Sequence, residues 1–86
     1  MDFIIFYDKQ PEKFIKKLDK HIAERILDKI DEIFKQQGPV PHDVKTMVGK
    51  HGVFRIRIGD YRILYRIDYE SKKIIIIKLD KRPNIY

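Results

Sequence analysis

The sequence predicts a small α+β domain in which two helices pack on one face of a mainly antiparallel sheet. Three observations predict it: an apolar run at residues 3–7, two amphipathic helical segments after it, and three β-prone runs in the remainder of the chain. The predicted order of elements is therefore β-α-α-β-β-β. With 86 residues, 43% of them hydrophobic, the chain can form one core, so we expect a single domain over residues 1–86.

The first strand and the first helix are predicted near the amino terminus. Residues 3–7 are apolar and β-prone, which is typical of a strand. The helix is predicted to start at Gln10-Pro11-Glu12, because proline suits the first helical position and glutamate suits the positive end of the helix dipole. Phe14 and Leu18 lie four residues apart, so they share the face that we expect to be buried.

The second helix is the strongest amphipathic segment of the chain. We predict that Asp19 caps it and that Gly38-Pro39 ends it. Its apolar residues recur at steps of three and four, namely Ile22, Ala23, Ile26, Leu27, Ile30, Ile33 and Phe34. A connector is expected over residues 40–51. The residues expected to hold this connector against the core are Val44, Met47 and Val48.

Three strands are predicted near residues 52–58, 61–69 and 73–80, and the turn between the first two defines their register. Gly59-Asp60 suits a two-residue turn with glycine at the first central position. On the face toward the helices, this turn pairs Ile58 with Tyr61, Ile56 with Ile63 and Phe54 with Tyr65. On the other face it pairs Arg57 with Arg62 and Arg55 with Leu64. Because like charges directly opposite destabilise a sheet, this arrangement favours a bound anion.

The next turn, around Glu70-Ser71-Lys72, is compatible with two registers, and we expect a three-residue loop. With this loop, the side chains that point toward the helices are Ile75, Ile77 and Leu79. Those that point to the opposite face are Ile74, Ile76 and Lys78. The helix-free face of the sheet is then a concavity lined by arginines, with Leu64 and Ile76 at its floor.

Charge is distributed unevenly along the chain. The formal net charge is +6, and five of the six arginines lie between residues 55 and 82. Residues 1–51 carry ten Lys and Arg against nine Asp and Glu, whereas residues 52–86 carry nine against four. The excess coincides with the predicted sheet and favours an anionic partner. The alternative, a charge-rich thermostable protein without such a partner, predicts a more even spread.

Composition also excludes several kinds of site. The chain has no cysteine, which excludes disulfides and cysteine metal sites and fits a reducing cytosol. Its apolar start is too short for a signal peptide or a membrane span, so we expect a soluble, cytoplasmic protein with no membrane partner. His21, His42 and His51 are too scattered for a ligand set, and no metal or cofactor is expected. His51 is an alternative general base, although an exposed connector histidine is the commoner case.

Five side chains form a set that is suited to chemistry on a phosphate: Arg55, Arg57, Arg62, Arg82 and Tyr86. Guanidinium groups bind phosphate oxygens in a bidentate fork and stay charged at physiological pH. Clustered around one phosphate, they stabilise the additional charge of the transition state. A tyrosine phenol can stack on a base or move a proton. The alternative for Tyr86 is a frayed terminal residue. For Arg66 the spacing favours an ion pair with Asp68 or Glu70.

These strands resemble the RelE/ParE superfamily of bacterial and archaeal toxins. The resemblance is carried by Val53–Ile67, which reads VFRIRIGDYRILYRI, and by the ending KRPNIY at residues 81–86. The order of elements matches along essentially the whole chain. The GDYRILY core, followed by KR and a tyrosine about twenty residues later, is fairly specific, whereas the helices alone are not.

The resemblance implies the toxin of a type II toxin–antitoxin pair, with a cognate antitoxin as its partner. In the RelE branch, such a toxin is an endoribonuclease that cleaves mRNA in the ribosomal A site without a metal. The ribose 2′-OH attacks the adjacent phosphate and leaves a 2′,3′-cyclic phosphate and a 5′-OH.

The family roles carry over to individual positions of this chain. They imply phosphate contacts for Arg55 and Arg57, stabilisation of transition-state charge for Arg62 and Arg82, and base stacking or proton transfer for Tyr86. Further RNA contacts are expected from Arg66, Lys78 and Lys81.

Two other functions are compatible with the same residues. One is a ParE-like inhibitor of DNA gyrase, which binds a protein and cleaves nothing. The other is a nucleic-acid-binding module without catalysis, in which the arginines only hold the phosphate backbone. The joint presence of the five catalytic candidates favours the nuclease.

Overall fold

The structure is a computed structural model that describes residues 3–38, 45–46 and 52–81. Its elements, in chain order, are β1 (Ile4–Tyr7), α1 (Lys9–Lys16), α2 (Lys20–Gln37), β2 (Lys45–Thr46), β3 (Val53–Ile58), β4 (Tyr61–Asp68) and β5 (Lys73–Lys81). Neither of the two helices in these ranges is long and apolar enough to cross a membrane.

The strands form one five-stranded sheet in the order β1-β5-β4-β3-β2. β1 runs parallel to β5, and the other neighbouring strands are antiparallel. The predicted α+β class and mainly antiparallel sheet are therefore confirmed. The short strand β2 was not predicted, because two residues inside a proline-containing connector carry no periodic signal of their own.

Helix α1 begins at Lys9, so Pro11 is not the first helical residue that the sequence predicts. Asp8 is its N-cap, and the Asp8 carboxylate accepts a hydrogen bond from the Lys9 backbone N–H at 3.0 Å. Pro11 is then the third helical residue, and it is buried. This costs no hydrogen bond, since the first four N–H groups of a helix have no partner within it.

Helix α2 begins and ends where the sequence predicts. Asp19 is its N-cap and accepts a hydrogen bond from the His21 backbone N–H at 3.4 Å. Gly38 follows the last turn with φ of 79°, a conformation that glycine adopts without a steric cost, and its N–H donates to the carbonyl oxygen of Phe34.

The core lies between α2 and one face of the sheet. Its buried members are Ile26, Ile30, Phe34, Ile56, Ile63, Tyr65, Ile74, Ile76 and Leu79. The ring of Phe34 meets the ring of Tyr65 edge to face at 5.0 Å between centroids. Fully burying one large apolar side chain contributes about 1.5–3 kcal/mol, so this cluster holds α2 on the sheet. Burial also raises the pKa of the Tyr65 phenol.

The β3–β4 hairpin has the predicted register. The three expected pairs on the helix-packed face, together with Arg57 opposite Arg62 and Arg55 opposite Leu64, are all present. Gly59 has φ of 57°, and among the described non-glycine residues only Lys72 has a positive φ. A positive φ at the first central residue alone is the signature of a type II′ turn, which matches the right-handed twist of the strands.

The predicted register of β5 is wrong in the half of the strand that follows the turn. Asp68 pairs with Lys73, so the turn has four residues instead of three. Ile74 and Ile76 consequently lie in the core, and Ile75 pairs with Arg66 on the opposite face. The floor of the helix-free face therefore lacks Ile76.

A β-bulge restores the predicted register in the second half of β5. Tyr65 pairs with Ile76, but the next residue back, Leu64, pairs with Lys78, so Ile77 is inserted between the two pairs. Leu79 thereby reaches the core and Lys78 the opposite face, both as predicted. The extra residue reverses the alternation of side chains once, and a strictly alternating pattern cannot anticipate it.

Candidate functional site

The helix-free face of the sheet collects cations from three neighbouring strands. Residues that pair across an antiparallel sheet share a face, so the register shows which side chains lie on the side away from the core. Strands β3, β4 and β5 contribute six cations to this face: Arg55 and Arg57 from β3, Arg62 and Arg66 from β4, and Lys73 and Lys78 from β5. We call these six residues the cationic face.

Arg62 lies at the centre of one row of this face. It is opposite Arg57 on β3 and opposite Asp80 on β5. Arg57 is exposed, whereas Arg62 is half-buried and its Nε atom is out of contact with solvent. The packed stem of Arg62 limits the positions that its guanidinium can take, which suits a group that must meet a substrate in one geometry.

Arg62, one of the two opposed arginines, has an acidic residue beside it on the sheet. Asp80 pairs with Arg62 on the neighbouring strand, and the Asp80 carboxylate accepts a hydrogen bond from the Lys81 backbone N–H at 2.8 Å. An acidic neighbour offsets part of the repulsion between Arg57 and Arg62. The pairing is the one that the expected three-residue loop gives, because the bulge restores that register in this half of β5.

The next row gives the face its floor. Arg55 pairs with Leu64, and Leu64 pairs with Lys78. Leu64 is only 6% exposed although no helix covers it. The long side chains of its neighbours Arg55 and Lys78 are of a kind that commonly covers apolar surface. The predicted apolar floor is therefore present through Leu64, between two cations.

The other cations predicted to contact RNA have different positions. Arg66 is exposed on the cationic face, and the structure shows no ion pair from it to Asp68 or Glu70. The Asp68 carboxylate instead bonds to Ser71, whose side chain and N–H hold the pKa of Asp68 below its usual range. Lys81 pairs with Tyr61, so it lies on the helix-packed side, next to the groove between α2 and the β3–β4 turn.

Two residues of the predicted catalytic set, Arg82 and Tyr86, lie outside the described residues, as do His42 and His51. The structure therefore brings together three members of the set, namely Arg55, Arg57 and Arg62, on adjacent strands. Within residues 3–38, 45–46 and 52–81, no group of three or more His, Asp or Glu side chains could hold a metal ion.

Chemically, the described part of the face can bind a compact anion. Arginines on adjacent strands have their Cβ atoms about 4.5–5.5 Å apart, which allows two guanidinium groups to converge on one phosphate. Neither α1 nor α2, the helices of the described residues, packs on this face, which leaves room for a polymer to lie across it. The arrangement suits the sugar–phosphate backbone of a nucleic acid.

Comparison with protein families gives one match that spans almost the whole chain. Residues 2–86 match the family model described as the ParE toxin of the type II toxin–antitoxin system, parDE. The match includes the strands of the cationic face and both helices.

Individual proteins are also similar to this chain. The RelE1 protein of Methanocaldococcus jannaschii is 28% identical over 89 residues, covering 100% of this chain and 97% of that protein. A chain of the archaeal RelE–RelB complex from Pyrococcus horikoshii OT3 is 32% identical with a TM-score of 0.75, covering 96% of this chain and 98% of that one. The isolated E. coli RelE toxin, at 22% identity, has the same fold with a TM-score of 0.75, covering 98% and 90%.

Proposed function

The chain belongs to the ParE toxin family of type II toxin–antitoxin systems, within the RelE/ParE superfamily, and we propose that it is a ribosome-dependent mRNA endonuclease. The observation that carries the proposal is the convergence of Arg55, Arg57 and Arg62 on an open, helix-free face. Binding to another protein does not require several guanidinium groups at a position that can hold a phosphate, whereas the proposed RNA cleavage does. The similarity to proteins named RelE supports the same branch.

In the proposed reaction, the ribose 2′-oxygen attacks the adjacent phosphorus. The bond from phosphorus to the 5′-oxygen breaks, the 2′-OH gives up its proton, and the leaving 5′-oxygen gains one. The products are a 2′,3′-cyclic phosphate and a 5′-OH. Negative charge builds up on the phosphoryl oxygens in the transition state, and preorganised donors aimed at that charge lower the barrier.

The proposed roles follow from position on the face. Arg55 and Arg57 hold the phosphate, and Arg62, with its packed stem, stabilises the charge of the transition state. Arg82 is proposed to assist Arg62, and Tyr86 to stack on a base or transfer a proton. Arg66 and Lys78 extend the phosphate contacts along the face. Lys81 starts on the helix-packed side, so it is proposed to reach RNA only around the end of β5.

The proposal includes a cognate antitoxin as the controlling partner. The archaeal relative from P. horikoshii was crystallised as a RelE–RelB complex. An acidic or amphipathic antitoxin segment that lies over the cationic face, or that displaces Tyr86, would block access to RNA. We further propose that residues 1–86 form a single domain and that the toxin acts in the cytoplasm, where ribosomes and mRNA meet.

The second candidate function is inhibition of DNA gyrase. The observation in its favour is that the matching family model is that of the ParE toxin. This function does not require the arginines to converge, because the toxin would bind a protein and cleave nothing.

The test is to map mRNA cut sites in a reconstituted translation reaction with the wild type, Arg62→Ala and Arg57→Ala. We expect wild-type cuts that require ribosomes, and a loss of rate of about 100-fold or more in Arg62→Ala, the usual cost of removing one group that stabilises transition-state charge. Arg57→Ala removes an exposed side chain, so its loss of activity cannot come from a damaged core.

The matched control is Arg25→Ala, which removes an exposed arginine from α2 on the opposite side of the sheet. It should cut like the wild type. If the wild type produces no cuts, the nuclease proposal fails, and inhibition of gyrase supercoiling by the same preparation would select the second function. Equal losses in Arg25→Ala and Arg62→Ala would mean that net charge, and not this site, matters.

A further inference from the structure

The cationic face continues past the arginines to the edge strand β1. Arg66 pairs with Ile75, and Ile75 pairs with Phe6. Phe6 therefore lies on the same helix-free face, at the edge farthest from Arg55 and Arg57. Its side chain remains 46% exposed, which is unusual for a phenylalanine in a sheet and is not explained by the core.

One cation contacts this exposed ring, and a second lies farther along the same row of the sheet. The Nζ atom of Lys73 lies 4.6 Å from the ring centroid of Phe6, within the range of a cation–π contact. Arg66 lies two strands away in the same row, beyond Ile75. An aromatic ring bordered by cations is the combination that binds single-stranded nucleic acid, because bases stack on the ring and phosphates meet the charges.

The spacing between the two ends of the face suits a polymer. Arg62 and Phe6 are separated by four residues along the strands and by two strand spacings, which corresponds to roughly 16 Å at about 3.3 Å per residue and about 4.8 Å per strand. At roughly 3.4 Å per stacked nucleotide, that distance spans up to about five nucleotides. Lys78 and Arg66 lie between the ends, so phosphates along the way meet cations.

The observations favour RNA over a protein as the occupant. Ile4 is also exposed on this face, and an aliphatic patch alone would suit a protein. The residues between Phe6 and the arginines, however, include Lys78 and Arg66, and these cations suit a phosphate backbone better than an apolar segment, although Asp68 and Asp80 also lie on this face.

We propose that Phe6 and Lys73 form a second RNA subsite, in which Phe6 stacks on a base several nucleotides from the bound phosphate and Lys73 contacts the neighbouring backbone. The inference rests on the proposed function in assuming that RNA occupies the cationic face. It adds a site that binds the single strand beside the cleaved phosphate and does not take part in cleavage.

The experiment measures fluorescence anisotropy of labelled RNA with the isolated toxin at low salt, using a decanucleotide that spans both sites and a dinucleotide that reaches one. The decisive variant is Phe6→Leu, which keeps the apolar surface but removes the aromatic face. We expect Phe6→Leu to weaken binding of the decanucleotide about tenfold, the order that one stacked base contributes, and to leave the dinucleotide unchanged.

Phe6→Trp should restore or exceed wild-type binding, and Ile4→Ala, a change in the exposed neighbour on the same strand, should have no effect on RNA. The inference is overturned if Phe6→Leu binds both RNAs like the wild type, if both RNAs lose affinity equally, or if the wild type binds neither. An effect of Phe6→Leu on antitoxin affinity alone would also overturn it and mark a protein surface.

The outcome is independent of cleavage. A toxin that cuts no mRNA but binds the decanucleotide through Phe6 would refute the nuclease proposal and retain the subsite. If the ribosome-dependent cuts require Arg62 but RNA binding is unchanged in Phe6→Leu, the nuclease proposal is supported and the subsite is refuted.

Discussion

The Gln10 side chain joins α1 to β5 through both atoms of its amide group. Its Nε2 donates to the carbonyl oxygen of Leu79 at 2.8 Å, and its Oε1 accepts from the N–H of Leu79 at 2.8 Å. Strand β1 ends at Tyr7, opposite Ile76, so Leu79 lies beyond the reach of that strand. The glutamine acts in place of a neighbouring strand, because it supplies hydrogen-bond partners to the N–H and the carbonyl oxygen of Leu79, which are partly buried.

Gln10→Ala should lower the free energy of unfolding by about 1–3 kcal/mol, because it leaves both polar groups of Leu79 without their partner. Urea denaturation followed by circular dichroism measures the change. Gln36→Ala, at an exposed position of α2, is the matched control and should stay within about 0.5 kcal/mol of the wild type. Equal stability of the two variants would contradict this role of Gln10.

At the same scale, the sequence predicted which arginines share a face. Arg57 opposite Arg62 follows directly from one short turn. Asp80 opposite Arg62 also agrees with the register that we expected, but for a different reason. The β4–β5 turn is one residue longer than expected, and a bulge later in β5 offsets that residue. The alternation of residue types predicts neither the longer turn nor the bulge.

At the scale of elements, the two β-turns differ in how much the sequence says about them. Gly59 takes a positive φ in a two-residue turn, and only a few residue types suit that position, so the β3–β4 register was predictable. In the β4–β5 turn the positive φ falls on Lys72, a residue that gives no such signal. Four consecutive isoleucines at residues 74–77 then allow either register, since each one is acceptable in a core.

Gly59→Ala should lower the free energy of unfolding by about 1 kcal/mol. A Cβ at this position would meet no atom within 4 Å, so the cost comes from the left-handed backbone alone. The reverse change, Lys72→Gly, should raise the free energy of unfolding by up to about 1 kcal/mol. Chemical denaturation of both variants measures these values. A Gly59→Ala protein with the same free energy of unfolding as the wild type would refute the type II′ turn.

At the scale of the whole molecule, the fold separates its two tasks between the faces of one sheet. One face carries the apolar residues that hold the helices, and Tyr7 on that side has its pKa raised to about 12 by burial, with the nearby Asp31 as a smaller cause. The other face carries the cations, and neither α1 nor α2 packs on it. The cationic face can therefore change without loss of the core, which is why stability and proposed activity should respond to different substitutions.

The most direct test of the proposed activity uses an mRNA with a single 2′-deoxynucleotide at a mapped cut site, in a reaction with wild-type toxin and ribosomes. Without the 2′-OH there is no nucleophile for the proposed attack. We predict that cleavage at that position is lost, while the unmodified mRNA yields a 2′,3′-cyclic phosphate and a 5′-OH, detected by mass spectrometry. Cleavage of the deoxy-substituted mRNA at the same position would contradict the account.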